Sequence, residues 1–292
     1  MDEIPAIACH AYLQKCSSER RHALLRYLPK KQQESLSSLP SSYGDVTRSF
    51  GTVESQLEDI HYSWFASFLR TLPENEIRLF LSSLPEDQVV GLKKTLLFSN
   101  HLIPLTPCAE QFFRHTLYEK TTSDAKDLLP KPCLPETPLN ALLSLSFTEL
   151  LRLIDFLGLR DLAAETRQII ETVKLKQIYA ALSKEEQEYL KLLLQKKEQL
   201  SFKRMELGKW DGGEETLKHH LRQRGLNRLA KALYGSHPSL IWHVSHRLES
   251  SLAGILLKLC VPLEHPRAAE LLTSQVVDLI AYLQNKNPGE LL

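Results

Sequence analysis

Four copies of one short phrase constrain this chain more than any other feature of it. Leu25-Arg26-Tyr27-Leu28-Pro29 is followed 11 residues on by Leu36-Ser37-Ser38-Leu39-Pro40, and Leu69-Arg70-Thr71-Leu72-Pro73 is followed 12 residues on by Leu81-Ser82-Ser83-Leu84-Pro85. Two leucines three apart close the apolar face of a helix. Proline cannot extend that helix, because it lacks an N–H and disfavours a helical predecessor. The acids after two of the prolines (Glu74 and Glu76; Glu86 and Asp87) suit the first turn of a new helix. The phrase therefore predicts a helix–proline–helix corner. Two pairs of corners about 44 residues apart fit paired-helix repeats. They fit an irregular bundle with frequent corners equally well.

Strand signals are scarce. Alternating Val, Ile and Thr runs are almost absent, only 11 glycines occur, and leucine at helical spacing dominates. The expected class is all-α, with short paired-helix repeats in the N-terminal part and a helical bundle in the C-terminal part. A length of 292 residues accommodates two domains. Pro130, Pro132, Pro135 and Pro138 fall close together, which predicts a stiff linker over residues 121–138. That divides the chain into domains 1–120 and 139–292.

The second part is well punctuated. Ser146-Phe147-Thr148-Glu149 and Ser183-Lys184-Glu185-Glu186 match capping boxes. Gly158 reads as the end of the first of these helices, and Gly225 as either a further helix end, the simpler option, or a place where another backbone packs close. Trp210-Asp211-Gly212-Gly213 reads as a break. Pro238 suits a first helical position. Leu240, Ile241, Val244, Leu248, Leu252, Ile255, Leu256 and Leu259 then predict one amphipathic helix that Pro262 stops. Pro266 opens a last helix through Leu272, Val276, Ile280 and Leu283.

The residues offer little chemistry. The five cysteines form no CxxC, which suits reduced thiols rather than a disulfide framework or a thiolate zinc site. No phosphate-binding glycine loop, HExxH or GxSxG occurs. His243 and His246 stand at a permitted zinc spacing, with His219, His220, His237 and His265 elsewhere, but no third ligand joins them in the sequence. No metal, cofactor, catalytic residue or small-molecule substrate is expected. A net charge of +1 gives no global attraction to nucleic acid or an anionic membrane. Residues 191–231 carry 11 Lys and Arg against 5 Asp and Glu, with Arg222, Arg224, Arg228 and Lys231 close together. This basic segment, at 203–231 above all, suits either an acidic protein partner or nucleic acid, the second being the less expected. Neither a signal peptide nor a membrane span is visible, so a membrane is expected to be reached only through a partner.

Ser236-His237-Pro238-Ser239-Leu240-Ile241-Trp242-His243-Val244-Ser245-His246-Arg247-Leu248-Glu249 resembles a phrase in the cytosolic K component of bacterial type III secretion systems. That family has Leu-x-Trp-x-x-x-His-Arg/His-Leu-Asp, with Glu249 here in the place of the aspartate. The first part also resembles the helical repeats of the G-type flagellar rotor switch protein, and the whole chain resembles secretion-apparatus proteins of obligate intracellular bacteria. The resemblance implies a non-enzymatic cytoplasmic adaptor that links the inner-membrane ring to the sorting platform. Its implied partners are secretion-ring cytosolic domains and pod proteins.

The contact surface expected for that role comprises His243, His246, Arg247 and Glu249, with Arg224 and Arg228 as a basic patch. Trp242 fits either a core anchor or an interface hot spot. A secretion chaperone or other helical peptide-binding protein, and a nucleic-acid-binding regulator, are the alternatives. The first predicts an apolar groove. The second predicts steeply salt-dependent binding to duplex DNA that charge reversal at Arg222, Arg224 and Arg228 abolishes.

Overall fold

The computed structural model describes residues 3–37, 39, 53–125, 127–169, 171–195, 200, 207, 210–263 and 266–286. Every regular element among them is helical, as the leucine spacing predicts. In chain order they are α1 (Glu3–Lys15), α2 (Ser18–Leu25), α3 (Lys30–Ser37), α4 (Val53–Glu58), α5 (Ser63–Leu69), α6 (Glu74–Ser82), α7 (Glu86–Leu96) and α8 (Pro107–Thr122). Two 3-10 segments, Lys131–Cys133 and Pro138–Ser144, come next. Then follow α9 (Phe147–Thr166), α10 (Thr172–Ala181), α11 (Lys184–Gln195), α12 (Glu214–Leu233), α13 (Pro238–Arg247), α14 (Ser250–Leu259) and α15 (Pro266–Lys286).

The chain forms two compact units, and the division differs from the expected one. The first unit combines Met1–Leu143 with Ser236–Ser250, and the second combines Ser144–Gly235 with Ser251–Leu292. The segment expected to be a linker is instead packed into the first unit. Leu129, Cys133 and Leu134 are buried there, and the Leu129 N–H donates to Ser239 Oγ at 3.0 Å. Prolines preclude regular helix at 130–138, but they leave the intervening apolar side chains free to fill a core. The expected domain 139–292 is likewise interrupted, because α13 belongs to the first unit.

In the first unit the proline corners form as the sequence predicts. Pro73 and Pro85, both extended, cap α6 and α7. Pro29 directly precedes α3 and accepts from the N–H groups of Gln32 and Gln33. The corner at 36–40 lies partly outside the described residues. Leu57, Phe65, Leu69, Leu81, Leu92 and Leu117 fill the main core. Each such side chain contributes about 1.5–3 kcal/mol relative to exposure. Ala6, Leu13 and Leu36 form a smaller cluster among α1–α3.

The second unit is organised by the crossing of α9 and α12. The capping box at Ser146 and Glu149 opens α9, and Ser183 and Glu186 open α11 the same way. Gly158 ends no helix, contrary to the sequence reading, and at Gly225 the close backbone approach holds rather than the simpler helix end; α9 and α12 run through them. They are the points where the two backbones meet. A Cβ on Gly158 would fall 2.1 Å from the Leu221 carbonyl oxygen, and one on Gly225 would fall 1.7 Å from that of Ile154. Two ion pairs flank the crossing. Arg222 donates to both oxygens of Asp155, at 3.0 and 2.8 Å. Arg228, fully buried, donates to Asp161 at 2.5 Å and to Gln275 of α15 at 2.7 Å.

The amphipathic run from Leu240 to Leu259 is two helices rather than the single one expected. Leu248 takes an extended conformation between α13 and α14 and is buried. Carbonyls released by the break find other donors: the His61 N–H donates to the His246 carbonyl at 2.8 Å, and Trp64 Nε1 to that of Leu248 at 3.0 Å. These bonds meet the need of buried backbone groups for partners.

Candidate functional site

The K-component-like phrase builds α13, and α13 sits in the first unit with its polar face turned inward. His237 caps it by accepting from the Ser239 N–H, and Pro238 takes the first turn. Leu240 and Val244 point into the core. The residues expected to recognise a partner do something else.

His246 is buried, with its ring stacked between two indoles. Its centroid is 3.9 Å from that of Trp64 and 3.8 Å from that of Trp242, with interplanar angles of 21° and 18°. Nδ1 lies 2.9 Å from the Trp242 carbonyl. A carbonyl only accepts, so Nδ1 carries the proton. Burial is the main reason that the His246 pKa falls to about 4; the bond to the Trp242 carbonyl opposes the fall, and nearby His243 adds to it. His243 donates from Nε2 to the Leu129 carbonyl at 2.8 Å, and burial again lowers its pKa to about 4. Both imidazoles are therefore neutral donors to backbone at neutral pH, which suits structure rather than proton transfer.

Arg247 is buried and paired with Asp59, which also accepts from Lys131 Nζ. One carboxylate thus holds two cations, one on α13 and one in the proline-rich segment. The Lys131 ammonium is pushed down mainly by desolvation, with Asp59 opposing the shift and Arg247 reinforcing it. Ser63 completes the clasp. Its Oγ contacts His61 Nδ1 at 2.9 Å and accepts from the Ser250 N–H at 2.9 Å.

The expected surface is thus largely interior. Trp242 takes the role of core anchor, half-buried against the main core. His246 and Arg247 are buried, His243 is half-buried, and only Glu249 of the group is exposed. Arg228 is buried in the second unit, where its charge is matched by Asp161, and Arg224 is half-buried there. The basic segment shows the same economy, with Arg222 on Asp155, Lys218 on Glu214, and Lys231 Nζ on the Val261 carbonyl. The arginines at 222 and 228 that a nucleic-acid interface needed are spent on internal pairs; residues 203–206 and His265 lie outside the described residues.

Sequence reasoning missed Asp59, His61, Ser63, Trp64 and Lys131. They stand more than a hundred residues from α13 in sequence, and no local pattern marks such a pairing. Among the described residues no three His, Cys, Asp or Glu side chains converge as metal ligands. No helix among them is long and apolar enough to cross a membrane. No known protein family, curated protein or solved structure matches the chain.

Proposed function

We propose that this chain is a non-enzymatic cytoplasmic adaptor of a type III secretion apparatus, linking the inner-membrane ring to the sorting platform. The observation that carries the reading is the phrase at 236–249, with its resemblance to the K component. The structure gives those residues a physical reason to occur together. Trp242 and His246 form one stack with Trp64, and Arg247 closes on Asp59. On this reading the phrase is the structural clasp of a rigid helical unit, and partners bind its outer helices. The ring's cytosolic domains and the pod proteins are those partners. Cross-linking in cells that carry a secretion system, followed by affinity capture of the full chain, tests the proposal. Ring and pod components are the expected products, and their absence sinks it.

A peptide-binding or chaperone role has one observation in its favour. A pocket of about 490 Å³ opens among α1–α3, lined by Leu13, Leu25 and Leu36 with Arg21 and Glu34. Saturable binding of a secretion substrate's N-terminal peptide, lost in Leu13→Asp, supports this second reading; no binding removes it.

A further inference from the structure

Helix α7 ends in a way that its own fold does not explain. Its last turn closes with the N–H groups of Leu97 and Phe98 both donating to the Lys93 carbonyl, the pattern of a left-handed helix terminus. Leu97 occupies the position that glycine normally fills, at φ 55°, and is the one non-glycine residue with positive φ among the described residues. A side chain in that conformation is strained against its own backbone. Nothing is recovered by burial, since Leu97 is 91% exposed. A bulky apolar side chain held at a backbone cost in open solvent points to a contact outside the chain.

The rest of the helix says what that contact is. Gln88, Val89 and Leu92 face the core. The opposite face carries Glu86, Asp87, Val90, Lys93, Lys94 and Leu97, which fall within roughly a third of the helix circumference. Val90 is 48% exposed and lies at the middle of that strip. Among the described residues, the four charged side chains make no ion pair. Their order is self-complementary, with acids before Val90 and lysines after it. When two copies of α7 lie antiparallel about a two-fold axis at the level of Val90, Asp87 of each lies beside Lys94 of the other on one edge of the strip, and Glu86 beside Lys93 on the other edge. Leu97 of each copy then falls just beyond the partner helix's first turn, level with the corner at residues 83–85. Such self-matching is what a two-fold interface demands.

We propose that the outer face of α7 pairs with the same face of a second copy of this chain. One eleven-residue helix on each side covers less than the roughly 1,200 Å² of stable complexes, so pairing is weak, reversible and screened by salt. It goes beyond the adaptor reading and does not depend on it.

Sedimentation velocity on the full chain, across protein concentration at low and high salt, tests this. A monomer–dimer equilibrium weakened by salt is expected. Lys93→Glu/Lys94→Glu, with four acids on the strip, and Glu86→Lys/Asp87→Lys, with four lysines, should each be monomeric. An equimolar mixture of the two should dimerise more tightly than the wild type. Leu97→Gly should lower association several-fold while its thermal midpoint stays the same or rises, which separates a lost contact from a damaged fold. A chain that stays monomeric at every concentration, a dimer indifferent to the charge variants, or a mixture that does not associate overturns the proposal.

Discussion

His246 places an ionisable ring where only its neutral form fits. The two flanking indoles and the Trp242 carbonyl hold an uncharged imidazole, and desolvation brings its pKa to about 4, with His243 brought to the same value. In the unfolded chain both revert to about 6.5. Between those values the unfolded state binds more protons than the native one, so stability rises with pH across the window. The contribution is fully present above about pH 6.5, is lost as pH falls towards 4, and changes no further below that. For a buried ring it is of order 3 kcal/mol. Replacing His246 by Phe keeps a flat ring between Trp64 and Trp242 and removes one of the two titrations. Urea unfolding from pH 4 to pH 7 should therefore show a shallower slope in His246→Phe than in the wild type. Equal slopes would mean that His246 does not titrate as its burial implies.

Among the elements, the crossing of α9 and α12 is the feature with the sharpest consequence. Alanine normally improves on glycine inside a helix by about 1 kcal/mol. At Gly158 and Gly225 the sign should reverse, because the new methyl would sit on a backbone carbonyl that cannot swing aside. Each substitution should cost about 3 kcal/mol through forced separation of the helices. Gly254 in α14 has nothing within 4 Å of its missing Cβ, so Gly254→Ala should stabilise by about 1 kcal/mol. Urea midpoints of the three variants test the contrast directly. Gly225 also shows where sequence reasoning stops. A glycine in a helical pattern fits either a terminus or a close approach, and only the partner backbone 71 residues away, at Ile154, decides between them. The proline corners at Pro29, Pro73 and Pro85 and the two capping boxes were legible because each is settled within a few residues. The break at Leu248 was not, since the donors that make it tolerable come from His61 and Trp64. The site residues failed for a related reason. Their polar types suggested a surface, but polar side chains with partners supplied from afar are stable inside.

At the scale of the whole molecule, the return of the chain to the first unit sets what can be cut away. Proline density places a boundary at 121–138, and a fragment ending near there would be expected to fold alone. The structure denies that fragment its clasp. Residues 1–143 keep Trp64, Asp59 and Lys131 but lose Trp242 and His246 from the stack, and Arg247 from the carboxylate. They also lose Ser239, which satisfies the Leu129 N–H. Leu240, Val244 and Leu248 leave their core positions as well, and a missing trio of that size, about 4.5–9 kcal/mol, is comparable to the roughly 5–15 kcal/mol by which domains are stable. Residues 1–143 alone should therefore unfold without a cooperative transition. Trp64, the one tryptophan in that fragment, should emit at the wavelength of a solvated indole. Joining 236–250 to residue 143 through a flexible linker should restore a cooperative urea transition, since the linker supplies the helix without the intervening second unit. A bare 1–143 fragment that melts as sharply as the fusion would show that α13 is a passenger on the first unit rather than part of its core.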